Sequence, residues 1–219
     1  MNLCVRLICY SSLAWPLLAC SLQDPNLEEL RRLCEKDAGV NIYRSVDADG
    51  YHNASLPITS FLDLIKSDFE FIEFCEDKLQ QKELLQEPGC GRLIRVPKDS
   101  GRCHPWLQQI LDESYPEPYV RFRQDYCVEF ELVDRPSARY LYQSELKPMQ
   151  VADDIRPISR SRVWVTDTQS SELMGEYITY VLEPRPHSMI SKTCDNIDQR
   201  YPTYRDANLL TKVLSNSKN

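Results

Sequence analysis

Arg162-Val-Trp-Val-Thr166 and Glu176-Tyr-Ile-Thr-Tyr-Val-Leu182 are two runs dense in β-branched and aromatic residues, with the polar stretch Asp167-Thr-Gln-Ser-Ser171 after the first. Such side chains fit a pleated, half-buried surface, and a short polar stretch suits a tight connection. Residues 162 to 182 are therefore expected to form a β-hairpin. Working outward, Tyr119–Arg123, Tyr126–Val133 and Arg139–Tyr142 share this composition and are read as further strands. Asp68-Phe-Glu-Phe-Ile-Glu-Phe-Cys-Glu76 sets aromatic residues against carboxylates at nearly alternate positions, which favours a strand. Pro88-Gly89 then turns the chain into Arg92-Leu-Ile-Arg-Val96, expected antiparallel to it, while Lys78–Glu87 fits either a loop or a helical turn or two. Val40–Val46 is expected to be the first strand, followed by a solvated turn at Asp47-Ala-Asp-Gly50. That turn superficially resembles a calcium loop, but its glycine comes too early and no closing glutamate follows.

Helical signals are fewer. Asp24 precedes Pro25 as an N-cap, Glu28 and Glu29 suit the positive end of a helix, and Gly39 is a natural stop. Residues 25–37 are read as an amphipathic helix with Leu27, Leu30 and Cys34 on one face. Ser60–Lys66 forms a second short helix. Beyond Pro184 irregular chain is expected until Arg205–Leu214, a helix carrying Leu209, Leu210 and Val213 on one side. The expected class is α+β: an antiparallel sheet with a few peripheral helices.

The amino terminus has a different character. Arg6 is the only charge before Cys20, and Leu7–Ala19 is an apolar run of 13 residues, shorter than the roughly 20 that span a bilayer. Leu17-Leu18-Ala19-Cys20 resembles the lipobox of bacterial lipoproteins, in which a peptidase cuts before the cysteine and its thiol receives diacylglycerol. The resemblance implies a signal peptide over 1–19, a lipid (palmitate class) on Cys20, and a single domain over 20–219 facing the periplasm. Ser21, where an aspartate would retain such proteins at the inner membrane, implies the outer membrane. Cys34-Glu-Lys-Asp-Ala-Gly-Val-Asn-Ile-Tyr43 and Arg162-Val-Trp-Val-Thr-Asp-Thr-Gln-Ser-Ser-Glu-Leu-Met-Gly-Glu176 together resemble a group of small proteobacterial lipoproteins of no known activity. This chain departs from their pattern with Ala38 before a single Gly39 and with Ser170-Ser171 where a Thr-Gly turn is usual.

The alternative is an ordinary signal peptide cleaved after Ala19, which would leave Cys20 as a plain thiol in an odd set of seven; cysteine arithmetic favours the lipobox. Of nine cysteines, Cys4 and Cys9 fall in the signal; with Cys20 acylated, six remain: Cys34, Cys75, Cys90, Cys103, Cys127 and Cys194. An even set in an oxidising compartment is read as a disulfide framework, with fifteen possible pairings. Element order favours Cys75 with Cys90, Cys103 with Cys127, and Cys34 with Cys194.

Residues 20–219 carry 25 basic and 33 acidic residues, a formal charge of −8 without a basic cluster, which disfavours nucleic acid as a partner. No Cys-x-x-Cys occurs, and His52, His104 and His187 show no metal-ligand spacing, so no metal or cofactor is expected. Cys103 and His104 are neighbours, but adjacent residues of extended chain face opposite ways. No Gly-x-Ser-x-Gly, Ser-x-x-Lys or phosphate-binding glycine loop stands in a fitting context. Glu28-Glu29 and Asp153-Asp154 are the acidic pairs available for acid–base work, and the ordinary reading of both is solvated surface. Tyr115-Pro-Glu-Pro-Tyr119 reads first as a proline-fixed connection and second as a recognition loop. Asn53-Ala54-Ser55 matches a glycosylation sequon, a pattern irrelevant to a bacterial lipoprotein. The expected function is a non-enzymatic envelope lipoprotein working through protein contacts. An immunity or inhibitor protein, whose acidic surface meets a basic toxin or hydrolase, is a sharper form of it, and a carboxylate-using periplasmic hydrolase is the alternative.

Overall fold

Pro25 opens the first helix because Asp24 accepts the Asn26 N–H at 3.0 Å and a proline costs nothing where no intrahelical donor is needed. The computed structural model describes residues 24–55, 59–77, 84–85, 87–114, 117–185, 190–197 and 207–215. In chain order its elements are α1 (Pro25–Asp37), β1 (Gly39–Ile42), β2 (Val46–Asp47), β3 (Gly50–Asn53), α2 (Ser60–Lys66), β4 (Phe71–Glu76), β5 (Gly89–Pro97), a single 3₁₀ turn (Lys98–Ser100), α3 (Pro105–Glu113), α4 (Glu117–Asp125), β6 (Tyr126–Val133), β7 (Tyr140–Pro148), β8 (Ile158–Asp167), β9 (Glu172–Leu182), β10 (Lys192–Thr193), α5 (Cys194–Ile197), α6 (Ala207–Val213) and β11 (Leu214–Ser215). The class is α+β, with a mixed, mostly antiparallel sheet and three disulfides. Among the described residues no helix is long and apolar enough to cross a membrane.

The chain divides into two compact units. Described residues 24–38, 148–160 and 179–197 make the first, and 39–147, 161–178 and 207–215 the second.

In the first unit α1 buries Leu30, Leu33 and Cys34, with Leu27 only half-buried. Cys34 is bonded to Cys194, with Cα atoms 5.6 Å apart. The rest of this core is Ile158, Tyr180 and Leu182. Tyr180 sends its hydroxyl to Asp37 at 2.6 Å, and Asn26 accepts the Arg156 N–H at 2.8 Å. β10 pairs antiparallel with the end of β9, Lys192 opposite Leu182.

In the second unit the strand order is β1-β9-β8-β7-β3-β4-β5-β6. β8 and β9 are joined through 168–171, a connection only an antiparallel pair allows, so the expected hairpin is present with longer arms. β4, β5 and β6 form an antiparallel meander, with Cys75 directly opposite Cys90 and bonded to it. The four-residue β3 is parallel to both its neighbours, β4 and β7. On one sheet face Ile72, Leu93 and Phe130 lie in register and pack in the same core as Leu64, Leu107, Leu111 and Phe122 of the helices.

Several expectations are corrected. Tyr119–Arg123 is not a strand; it lies within α4. Glu117 starts the helix with Pro118 in its first turn, Tyr119 and Phe122 fall three apart on its inner side, and Arg123 Nη1 donates to the carbonyls of Leu111, Asp112 and Ser114 at 2.7, 2.9 and 3.0 Å. Tertiary contacts thus outweigh β propensity. Val40–Val46 is not one strand: after Ile42 the N–H groups of Tyr43 and Arg44 both turn to the Met174 carbonyl, and Val46 joins β11 instead. Asp47-Ala-Asp-Gly50 is not a plain turn either, because its ends belong to β2 and β3. Gly50 serves close packing: a Cβ there would lie 2.2 Å from the Phe71 carbonyl oxygen. The chain beyond Pro184 includes β10 and α5 before α6, which covers Ala207–Val213. α3 and β3 add to the expected elements. Residues 78–83 and 86 of the Lys78–Glu87 segment lie outside the described residues.

Candidate functional site

The face of the sheet opposite the apolar core carries a row of polar side chains. His52, Glu73, Arg92 and Glu131 are register partners across β3, β4, β5 and β6, so alternation turns all four the same way. Glu73 is fully buried. Its Oε1 accepts from Arg92 Nε and Nη2 at 3.0 and 2.5 Å and from the Ser137 hydroxyl at 3.1 Å; its Oε2 accepts the N–H groups of Ser137 and Ala138 at 2.8 and 2.7 Å. Burial alone would raise its pKa, but the Ala138 N–H, the Arg92 guanidinium and the Ser137 N–H outweigh it and hold the carboxyl below its ordinary value. Glu73 is therefore held as the anion at neutral pH and does not serve as a proton donor there. Ser137 bonds this carboxylate directly, which does not activate its hydroxyl as a nucleophile. His52 is half-buried; desolvation lowers its pKa against the pull of Glu73, and its Nε2 has no hydrogen-bond partner among the described residues.

Asp167 plays the same part at the hairpin. Fully buried at the end of β8, it takes both arms of Arg139, Nε at 3.1 Å and Nη2 at 2.6 Å, and the Gln169 N–H at 3.0 Å. The Arg139 bonds lead the effects that lower its pKa to about 2. Glu73 and Asp167 both tie down the connection between β6 and β7, Glu73 through residues 137 and 138 and Asp167 through 139.

A place with room for a ligand lies elsewhere in the second unit. β5 alternates so that Arg95 shares the inner face with Leu93, and its side chain is only 10% exposed. The guanidinium sits 5.3 Å from the ring centres of both Phe122 and Tyr126. Its Nη2 donates to the carbonyl of Leu64 at 3.0 Å and to that of Ser67, closing the end of α2, where a cation also suits the helix dipole. Nη1 lies 3.8 Å from Asp68, and Nε has no hydrogen-bond partner among the described residues. Burial lowers the Arg95 pKa, opposed by Asp68. Beside it opens a cavity of about 650 Å³, lined by Lys66, Asp68, Arg95, Glu117, Arg121 and Asp125 together with apolar and aromatic atoms of Ile65, Pro118, Phe122 and Tyr126. Three cations and three carboxylates thus surround it.

The residues singled out from sequence fall as follows. Cys34–Cys194, Cys75–Cys90 and Cys103–Cys127 are the pairs, matching the favoured set. Cys20, Tyr115 and His187 lie outside the described residues. His104 gives its backbone N–H to the Val128 carbonyl at 2.8 Å and sets its ring edge-on to Phe130; Cys103 is locked in its disulfide, so it is no nucleophile for that imidazole to activate. Glu28 is exposed and Glu29 is held by Arg32 at 2.6 Å; Asp153 and Asp154 are exposed. Asp47 accepts the Ser215 hydroxyl at 2.9 Å. Asn53 is fully buried, its amide donating to Ser60 Oγ at 3.2 Å, so a glycan there is incompatible with this fold. Arg95 was the residue to find: a charge at an inward position of an alternating strand is the one signal the sequence offers. Comparisons with protein-family models, with curated proteins and with solved structures returned no match.

Proposed function

We propose that this chain is a lipoprotein of the bacterial cell envelope, fixed to a membrane through Cys20 and acting through contacts with other envelope proteins. One observation carries the reading: the six cysteines from Cys34 to Cys194 pair completely with one another. A disulfide-dense fold belongs in an oxidising compartment. Within 20–219 the pairing leaves Cys20 alone without a cysteine to bond, as acylation requires. Pro25 starts α1 five residues after Cys20, so an acyl anchor would hold the folded chain close to its bilayer. Glu73 and Asp167 act as structural acceptors, which favours the surface as the working part. The outer membrane is the proposed address, on the strength of Ser21.

Intact-mass measurement of the protein purified from native membranes tests this. The expected mass is that of residues 20–219 plus acyl chains less six hydrogens, with Cys20→Ser releasing the protein from membranes. An unacylated mass would overturn the anchor, and cross-linking in intact cells that captures no envelope protein would overturn the contact role.

A further inference from the structure

We propose that the cavity beside Arg95 is a binding site for the carboxylate end of an amino acid or peptide, with the carboxylate on Arg95 and the ligand's ammonium or N–H groups among the acidic side chains of the rim. The volume, about 650 Å³, lies in the range of small-ligand sites and exceeds what a single water or ion needs. Arg95 is pre-ordered for recognition. Two aromatic rings and the carbonyls at the end of α2 hold the guanidinium in one orientation, so little side-chain freedom remains to be lost on binding. Its Nη1 lies 3.8 Å from Asp68, beyond hydrogen-bond length, and donates to no hydrogen-bond acceptor among the described residues, so a ligand carboxylate can accept from it.

The lining selects the ligand class. A simple anion such as phosphate would meet three carboxylates along with the three cations, and a simple cation the reverse. A ligand carrying both signs a few ångströms apart complements both. Phe122 and Tyr126 add aromatic walls for an apolar side chain. The site is independent of the membrane address, and its test does not require an acylated protein.

The test is a chemical-shift titration of the oxidised full chain with alanyl-phenylalanine, its C-terminal amide, its N-acetyl form and a ten-residue peptide ending in the same two residues. Saturable shifts at Arg95 Nε–H and at the Phe122 and Tyr126 rings are expected with the dipeptide, with at least tenfold weaker binding of the amide. Glu117→Lys/Asp125→Lys, on exposed side chains, is expected to weaken the dipeptide about tenfold and the N-acetyl form much less; Arg95→Gln should abolish binding, and the rim variant keeps the test sound if Arg95→Gln fails to fold. Binding of dipeptide and decapeptide alike assigns the site to polypeptide ends, and binding of the dipeptide alone to free amino acids and dipeptides. No saturation with either, equal binding of acid and amide, or shifts confined to another surface would overturn the proposal.

Discussion

Glu73 accepts the backbone N–H of Ala138 at 2.7 Å, so a side chain from the middle of the sheet holds a connection 65 residues further along. With Arg92 and both N–H groups of 137 and 138 on it, this carboxylate is a structural hub. Glu73→Ala strips a buried counter-charge from Arg92 and leaves two N–H groups unpaired, an expected loss of about 3 kcal/mol. Denaturant unfolding measures it, and hydrogen exchange should show the Ser137 and Ala138 amides losing protection first. An unchanged midpoint would show that the hub carries no stability.

Acid should destabilise the fold in two stages. His52 and His104 both have pKa values lowered by burial, so the unfolded chain binds protons that the folded one refuses; their contribution is complete above about pH 6.5 and is lost as pH falls below it. Glu73 and Asp167 also have lowered values, so theirs is present above the ordinary carboxylate range and disappears as pH falls from about 4.5 towards 2. Thermal melts from pH 8 to 2 check this, and a melting temperature flat from 7 to 5 would remove the histidine stage.

The disulfides should rank by loop length. Cys34–Cys194 closes 160 residues and Cys75–Cys90 only 15. In the chain-entropy account, replacing the first pair by serines costs about 5 kcal/mol and the second about 3. Half-buried Cys75 and Cys90 should also be reduced before Cys34 and Cys194, which are nearly fully covered. Alkylation and mass spectrometry during graded reduction would report the order, and simultaneous loss of all three would contradict it.

Ser171 sits at φ 59° in the hairpin connection, a conformation that favours glycine. Ser171→Gly relieves roughly 1 kcal/mol of strain and returns part of it as unfolded-state entropy, for an expected net gain of about 0.5 kcal/mol. A drop in melting temperature would contradict it.

Gly50→Ala is expected to do the opposite. Its Cβ would meet backbone at 2.2 Å rather than a movable side chain, so β3 and β4 must separate. A cost of about 2 kcal/mol or more follows from overpacking, and wild-type stability would show that the strands can give way.

Local signals were the legible ones. α1 announced itself through Asp24, Pro25 and Gly39, and the β8–β9 hairpin through two apolar runs around a polar connection, because the causes of these elements lie within a few residues of one another. Tyr119–Arg123 misled because aromatic and β-branched content was weighed without the three-residue spacing of Tyr119 and Phe122. β3 was hidden for a related reason: a four-residue central strand takes its stability from neighbours at 71–74 and 141–142, not from its own composition. Of the Arg95 site only the inward charge is legible in sequence; the cavity is not, since residues 65–68, 95 and 117–126 meet only through packing.

The disulfide pattern also bears on how the protein is made. Cys34 is the first of the six to emerge from a ribosome or a translocon and its partner Cys194 the last, with both other pairs nested between them. Oxidation in order of appearance would join Cys34 to Cys75 and strand Cys90 with Cys103. The native set needs either a thiol that waits for nearly the whole chain or an exchange catalyst that undoes the early error, so yield in an oxidising host should follow isomerase activity more closely than oxidase activity.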